Sequence, residues 1–307
     1  MSLFTPEIVL QKIESGYKFR EAELSRLKLD AVSVDRATFI RCYLRGAVFS
    51  HTSCKQTNFK GSNLAFAKLD RVDLSEANLE RVELNSAVLN DVILDRANAY
   101  KAKFFGINFK DIKAANINLS FADLRQAKGK NVYLSSANLN KAFLSQINFV
   151  SVNLERATVT NAGLQSAIVD NSRWHKANLQ NSNLSKSKIT NAYFNNASLV
   201  NVKFREAYLE DVYFQEAELL ESDFYKAELN RINFNGAIAL SVNFEGAKLS
   251  NIDLTDANLQ DANLENTVWE NVNFANCKVN GAVFSDAKGL TEEQKQLLKT
   301  NGALNVA

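Results

Sequence analysis

Proline is almost missing from this chain, with Pro6 its sole example, and the 11 glycines are few for 307 residues. No stretch approaches the ~18 consecutive apolar residues that a membrane-spanning helix needs, so no membrane anchor is expected. The N-terminal MSLFTPEIVLQKIESG lacks a basic segment followed by an apolar one, so no secretory signal is read there. Cysteine is also scarce. Cys42, Cys54 and Cys277 are odd in number, carry no metal-type spacing and fit a reducing compartment, so a cytoplasmic location is expected. Catalytic and nucleotide-binding motifs are missing too: there is no GxGxxG, GxxxxGK[ST] or HExxH. His51 and His175 stand far apart, with no carboxylate–imidazole–nucleophile grouping around either. The reading is of a non-enzymatic protein with no catalytic residues, no cofactor, no metal and no small-molecule substrate.

What the chain does have is Ala, Asn, Leu and Phe in a strict order. From Phe19 in steps of five, the positions reached are Leu24, Leu29, Val34, Phe39 and so on to Phe284 and Gly289, 55 central positions without a slip. Only Cys54, Ala99, Ala114, Gly129, Ala239 and Gly289 fall outside Leu, Phe, Val, Ile and Trp. Two residues before each centre stands a small or β-branched residue, as in Ala77-Asn78-Leu79 and Ala257-Asn258-Leu259. A period of five matches neither a helix at 3.6 nor a strand at 2.0, and no heptad is present. It requires a chain that turns a corner once per repeat. Four corners would close a square coil of 20 residues.

A second period supports that closure. In the column Val32, Thr52, Val72 and onward by twenties to Val272, ten of thirteen members are Val or Ile. In the other three columns of small positions only six of 42 are. One side of the coil is therefore built differently from the rest.

These units resemble the pentapeptide-repeat family, whose consensus is close to A(D/N)LXX, over roughly residues 17–289. The resemblance implies an all-β, right-handed quadrilateral parallel β-helix, a solenoid of 13–14 coils. At the usual ~4.8 Å strand spacing this would be a rod of about 65 Å. Short helical caps are expected at both ends, over 1–16 and 290–307, because an open coil exposes apolar core and unpaired edges. Thr5 and Pro6 read as N-cap and N1, Gly16 as a stop, Thr291 with Gln294 as a capping box, and Gly302 as the final stop. The alternative for the last helix is a dimerisation element, leaving the chain a monomer or weak homodimer.

Partner chemistry is then sought on outward positions. Val200, Leu220 and Leu240 form an apolar column inside segment 201–270, which carries a net charge of −9. Tyr193 and Tyr213 share another column, with Tyr208 and Tyr225 nearby. Tyr100, Phe105 and Phe121 make a second candidate surface beside Lys101, Lys103, Lys110 and Lys113. Residues 99–132 also carry weakened centres (Ala99, Ala114, Gly129) and enlarged small positions (Ile107, Ile112, Ile117), which predict a local dent, twist or bulge.

The functional reading is a rigid protein–protein interaction scaffold or regulator whose partner is not named by the sequence. The resemblance implies a bacterial, cyanobacterial-type setting, since similar proteins regulate heterocyst differentiation. Its alternative is a mimic of B-form DNA that binds gyrase or topoisomerase, as some members do; here only the acidic part could serve, because residues 1–200 carry +10. Nucleic-acid binding is disfavoured, because the positive charges near Arg26, Arg36 and Lys60 are scattered among acids. A remaining use of the charge gradient is self-association, basic part to acidic part.

Overall fold

The computed structural model describes residues 4–307, and its chain divides into two compact units, residues 1–157 and 158–307. Each unit is parallel β-solenoid, about 13 turns in all, with one short helix near the chain terminus of each unit.

The five-residue period is a corner. The central residue and its neighbour two ahead of it point inward and are buried in nearly every repeat. The other three positions are at least partly exposed, apart from small residues such as Ala65 and Ser120. At the corner the residue two after each centre adopts positive φ. This holds at all 54 such positions from Glu21 to Asp286, with φ between 49° and 61° wherever the residue is not glycine. None of the 54 is Val, Ile or Thr. A branched Cβ is costly in the left-handed region, so these positions select against it.

Backbone pairing between turns recurs at each repeat. In the first unit the Leu24 amide donates to Tyr43 O at 2.8 Å, Arg26 to Arg45 O at 2.9 Å, and Tyr43 back to Ala22 O at 2.9 Å. Leu27 N closes the corner on Leu24 O at 3.1 Å. The same set recurs in the second unit at Phe204, Glu206, Asp223 and Ala207. The Asn or Asp before a centre adds a side-chain bond, in which its carboxyl or amide oxygen accepts from the amide two residues on. Asn58 Oδ1 takes Lys60 N at 3.1 Å, and Asp73 Oδ1 takes Ser75 N at 2.9 Å. That is the physical reason for D/N in the repeat.

The Val/Ile column lies where strands run longest. In the first unit the six-residue strands Asn108–Lys113, Lys128–Tyr133 and Asn148–Asn153 pair through Ile112, Val132 and Val152. In the second, strands from Ile168–Arg173 to Val268–Asn273 pair through Val212, Ile232, Ile252 and Val272. Each of these strands passes through a corner residue, such as Asp111 at φ 54°, and the branched residue follows it where the backbone is again extended and paired from turn to turn, as branched residues favour. Ser172 interrupts the column for a reason: its hydroxyl receives the buried Trp174 Nε1 at 2.8 Å.

Inside, rings stack rung on rung. Phe19–Phe39–Phe59 keep 5.3 Å between centroids, and Trp174–Phe194–Phe214–Phe234 keep 5.1–5.3 Å. Small-position hydroxyls donate to carbonyls of the previous turn, as Thr57 does to Val34 O at 2.8 Å and Ser222 to Leu199 O at 2.7 Å.

The weakened region 99–132 contains no bulge. The register continues at twenty residues, Asn108 opposite Lys128 and Gly129 opposite Phe149. The space left by Gly129 is occupied by the Phe149 ring, which a Cβ at 129 would meet at 2.8 Å. The corner bond from Ile117 N to Ala114 O is 3.4 Å, a length shared by Ile147–Leu144 and Val242–Ala239 outside this region. Core volume is exchanged between neighbouring turns, so the ladder does not have to bend.

Helix α1 (Pro6–Glu14) is capped by Thr5, buries Val9 and ends at Gly16 with Tyr17 N on Lys12 O and Gly16 N on Ile13 O. Helix α2 (Glu292–Thr300) carries the Thr291–Gln294 capping box, buries Leu298 and ends at Gly302 in the same manner. After α2 the tail returns to the coil. Gly281 N donates to Gly302 O, Leu304 N to Ala282 O, and Phe284 N to Leu304 O, so residues 302–304 act as a partial further rung.

Candidate interaction surface

Inward positions hold no chemistry that faces solvent. Cys42, Cys54 and Cys277 are buried, and burial pushes all three thiols up, Cys277 to about 12. His51 lies on the surface between Asp30 and Arg71, with Nδ1 3.5 Å from Asp30 and Nε2 2.8 Å from Arg71. Among the described residues no group of three or more His, Cys, Asp or Glu is placed to hold a metal ion, and no helix is long and apolar enough to cross a membrane.

Val200, Leu220 and Leu240 occupy one outward column in successive turns of the second unit, each half-buried. Asn201 N on Leu220 O and Glu221 N on Leu240 O hold the three turns together at 2.9 and 3.0 Å. Ile238 joins them, a residue that reading the sequence by single columns leaves out. The residue before a buried centre and the residue after it face the same side, so Ile238 and Leu240 flank Ala239 on one surface. Ile238 is 45% exposed. Its signal in the sequence is the apolar residue on either side of one centre, which links two neighbouring columns. Glu218, Glu221 and Asp261 border this strip, and none has an ion pair among the described residues.

Tyr193 and Tyr213 lie on a different side, their rings stacked at 4.9 Å and 5°. Tyr208 is held by its hydroxyl on Glu210 at 2.9 Å, and Tyr225 lies under Arg205 at 4.5 Å. Arg231 clamps Glu210 and Asp211 at 2.7 and 2.6 Å. These contacts hold both carboxyls below their ordinary values, Glu210 chiefly through Tyr208 and then Arg231, Asp211 chiefly through Arg231.

In the first unit the structure divides the second candidate surface. Tyr100 and Phe121 meet edge to face at 5.7 Å, with Lys101 5.6 Å and Lys141 5.5 Å from the Phe121 ring centre. Phe105 stands beyond the next corner, 39% exposed, with Arg125 5.9 Å over its ring. Lys103 shares the side of Phe105 and is tied to Glu83 at 2.6 Å, whereas Lys110 and Lys113 belong to the long strand on further sides. Closeness in sequence places these residues in one cluster; a corner every five residues separates them. An open groove of about 600 Å³ runs beside Lys101, lined by Arg41, Tyr43, Gly61, Arg81 and Lys103.

No curated protein matches the sequence. Among solved structures, HetL, a pentapeptide repeat protein involved in heterocyst differentiation regulation from the cyanobacterium Nostoc sp. strain PCC 7120, is 21% identical, with 93% of this chain and 99% of that chain covered and a TM-score of 0.30. QnrB1, a plasmid-mediated fluoroquinolone resistance protein, is 18% identical in a trypsin-treated form, with 68% and 94% covered and a TM-score of 0.42. Its full-length form is 15% identical, with 91% and 98% covered and a TM-score of 0.34. At such scores and identities, nothing that these names describe extends to this chain. Family models match most of its length: pentapeptide repeats (8 copies) over 37–75, 73–111, 117–156, 130–165 and 160–196, and the pentapeptide repeat region over 207–284. With its period, its corners and these matches, the chain belongs to the pentapeptide-repeat family.

Proposed function

We propose that this chain is a non-enzymatic interaction module that engages a protein partner through the Val200–Leu220–Leu240–Ile238 strip. The observation that carries the reading is that strip itself: large apolar side chains on outward positions that this coil otherwise gives mostly to Asn, Gln, Ser and charged residues. A contiguous apolar patch with a polar border on the surface of a folded protein is a mark of a contact site. The acids on the border leave the centre of the strip free of charge, which is the arrangement of a contact patch with a polar rim. Capture from an extract of the host by the immobilised full chain, compared with its Leu220→Lys variant, tests this. A specific partner retained by the first and lost by the second supports the reading; equal capture by both overturns it.

A second reading is binding to gyrase or topoisomerase through residues 201–270, favoured by their net charge of −9. Five basic residues interrupt that segment, and Arg231 pairs with two of its acids, Glu210 and Asp211. A supercoiling assay distinguishes the readings: inhibition or protection of gyrase supports this second one, and no effect at micromolar chain eliminates it.

A further inference from the structure

The strip in the second unit has a counterpart in the first. Both lie on the same side of the repeat, the side whose buried centres are Phe59, Leu79, Ala99, Leu119 and Leu139 in one unit and Leu199, Leu219, Ala239 and Leu259 in the other. Over these turns of the first unit this side carries Lys60, Arg81, Lys101 and Lys141 against one acid, Glu80. Glu80 is engaged by Lys60 at 2.8 Å and approached by Arg81 at 3.9 Å, so the excess positive charge sits at Lys101 and Lys141 around Phe121 and Tyr100. Over these turns of the second unit the same side carries Glu218, Glu221 and Asp261 around Val200, Leu220, Ile238 and Leu240, with Lys278 entering one turn further on.

We infer that the acidic-rimmed apolar strip of one copy docks on the Tyr100–Lys101–Phe121–Lys141 strip of a second copy. Three features of the two surfaces agree. Their free charges are opposite and, among the described residues, neither Lys101, Lys141, Glu218 nor Glu221 is engaged in an ion pair. Their centres are both apolar, aromatic on one side and aliphatic on the other, which suits an interface core. Their rungs share one spacing of about 4.8 Å, so side chains on one strip stay in step with those on the other over several turns. A partner helix, advancing about 5.4 Å per turn, would drift out of step over the same distance. Because the two strips differ, the contact is heterologous, and mass grows with concentration unless the contact closes on itself.

The inference rests on the strip being a contact surface and adds its occupant. The test is the mass of the full chain in solution, measured by sedimentation at about 0.01 M and about 1 M salt, where the screening length falls from roughly 30 Å to 3 Å. At low salt the wild type is expected to exceed its 34.2 kDa monomer mass increasingly with concentration, and at high salt to return to it. Two charge-reversed variants follow, Lys101→Glu with Lys141→Glu, and Glu218→Lys with Glu221→Lys. The coil already holds Glu206 and Lys226 at equivalent corners and Lys278 in the column of Glu218, so neither variant asks for a residue type foreign to its position. Thermal unfolding matching the wild type verifies that both are folded. Each is expected to be monomeric alone at low salt, and their equimolar mixture to associate again, because each then meets the opposite sign. A wild type monomeric at low salt, a variant associating like the wild type, or a mixture that stays monomeric overturns the inference. None of these results bears on capture of another protein, which Leu220→Lys tests separately.

Discussion

At the scale of the residue, the left-handed corner rules the sequence more strictly than the buried centre does. The centres accept Leu, Phe, Val, Ile, Trp, Ala, Cys and Gly, whereas the 54 corner positions accept polar, small and even phenyl side chains but no branched Cβ. The periodicity of the centres is plain from the chain alone. The corner rule is not, because it is a rule of exclusion: Arg, Asn, Glu, Lys and Phe look unrelated until φ is known. Asn181, at φ 60°, gives a direct test. Asn181→Val should lower stability by about 1–2 kcal/mol from the cost of a branched residue in this region, while Asn181→Gly should change it by only a few tenths. Denaturant titration of the two variants measures the difference, and equal stability would mean that the corner tolerates a branched Cβ.

At the scale of the element, a turn of the coil is a unit that exchanges volume with its neighbours. The Val/Ile column is legible in the sequence, and the structure places it in the six-residue strands that pair from turn to turn. No bulge interrupts residues 99–132: the sequence shows that Gly129 is small but not that Phe149, twenty residues later, fills the gap. Gly129→Ala should therefore destabilise, by about 1–3 kcal/mol as overpacking usually does, and Phe149→Leu should recover part of that loss in the double variant. A double-variant cycle by thermal unfolding checks this; additive effects would show that the two positions do not share the space. The same limit explains Phe105. Sequence neighbours lie on one side only when a corner does not fall between them, and Ile238, two residues from Leu240, is easily passed over for the complementary reason.

At the scale of the whole molecule, charge is organised along the chain, and much of it is tied locally between adjacent turns. Asp170 is held below its ordinary value by Thr190 and Asn191, Asp123 by Arg125, and Glu210 and Asp211 by the contacts around Arg231. A carboxylate with a lowered folded value stabilises the native state above its unfolded value, near 4, and loses that contribution as pH falls through the folded value. The melting temperature should therefore be flat from neutral pH to about pH 5 and decline below it. In Arg231→Met the decline should be shallower, because that variant has already lost part of what acid removes. An acid limb unchanged by the substitution would place the sensitivity elsewhere.

The fold is legible because a solenoid repeats its instructions, so every turn is a further reading of the same rule. The contact surface is legible only in part, because it is made of exceptions to that rule and each exception occurs once. The most direct measurement is residue-level solvent footprinting of the full chain, alone and in complex with the partner it captures. Protection is expected to centre on Val200, Leu220, Ile238 and Leu240, with Tyr193 and Tyr213 unchanged on their separate side. Protection at the tyrosines or elsewhere, with this strip as accessible as in the free chain, would contradict this expectation.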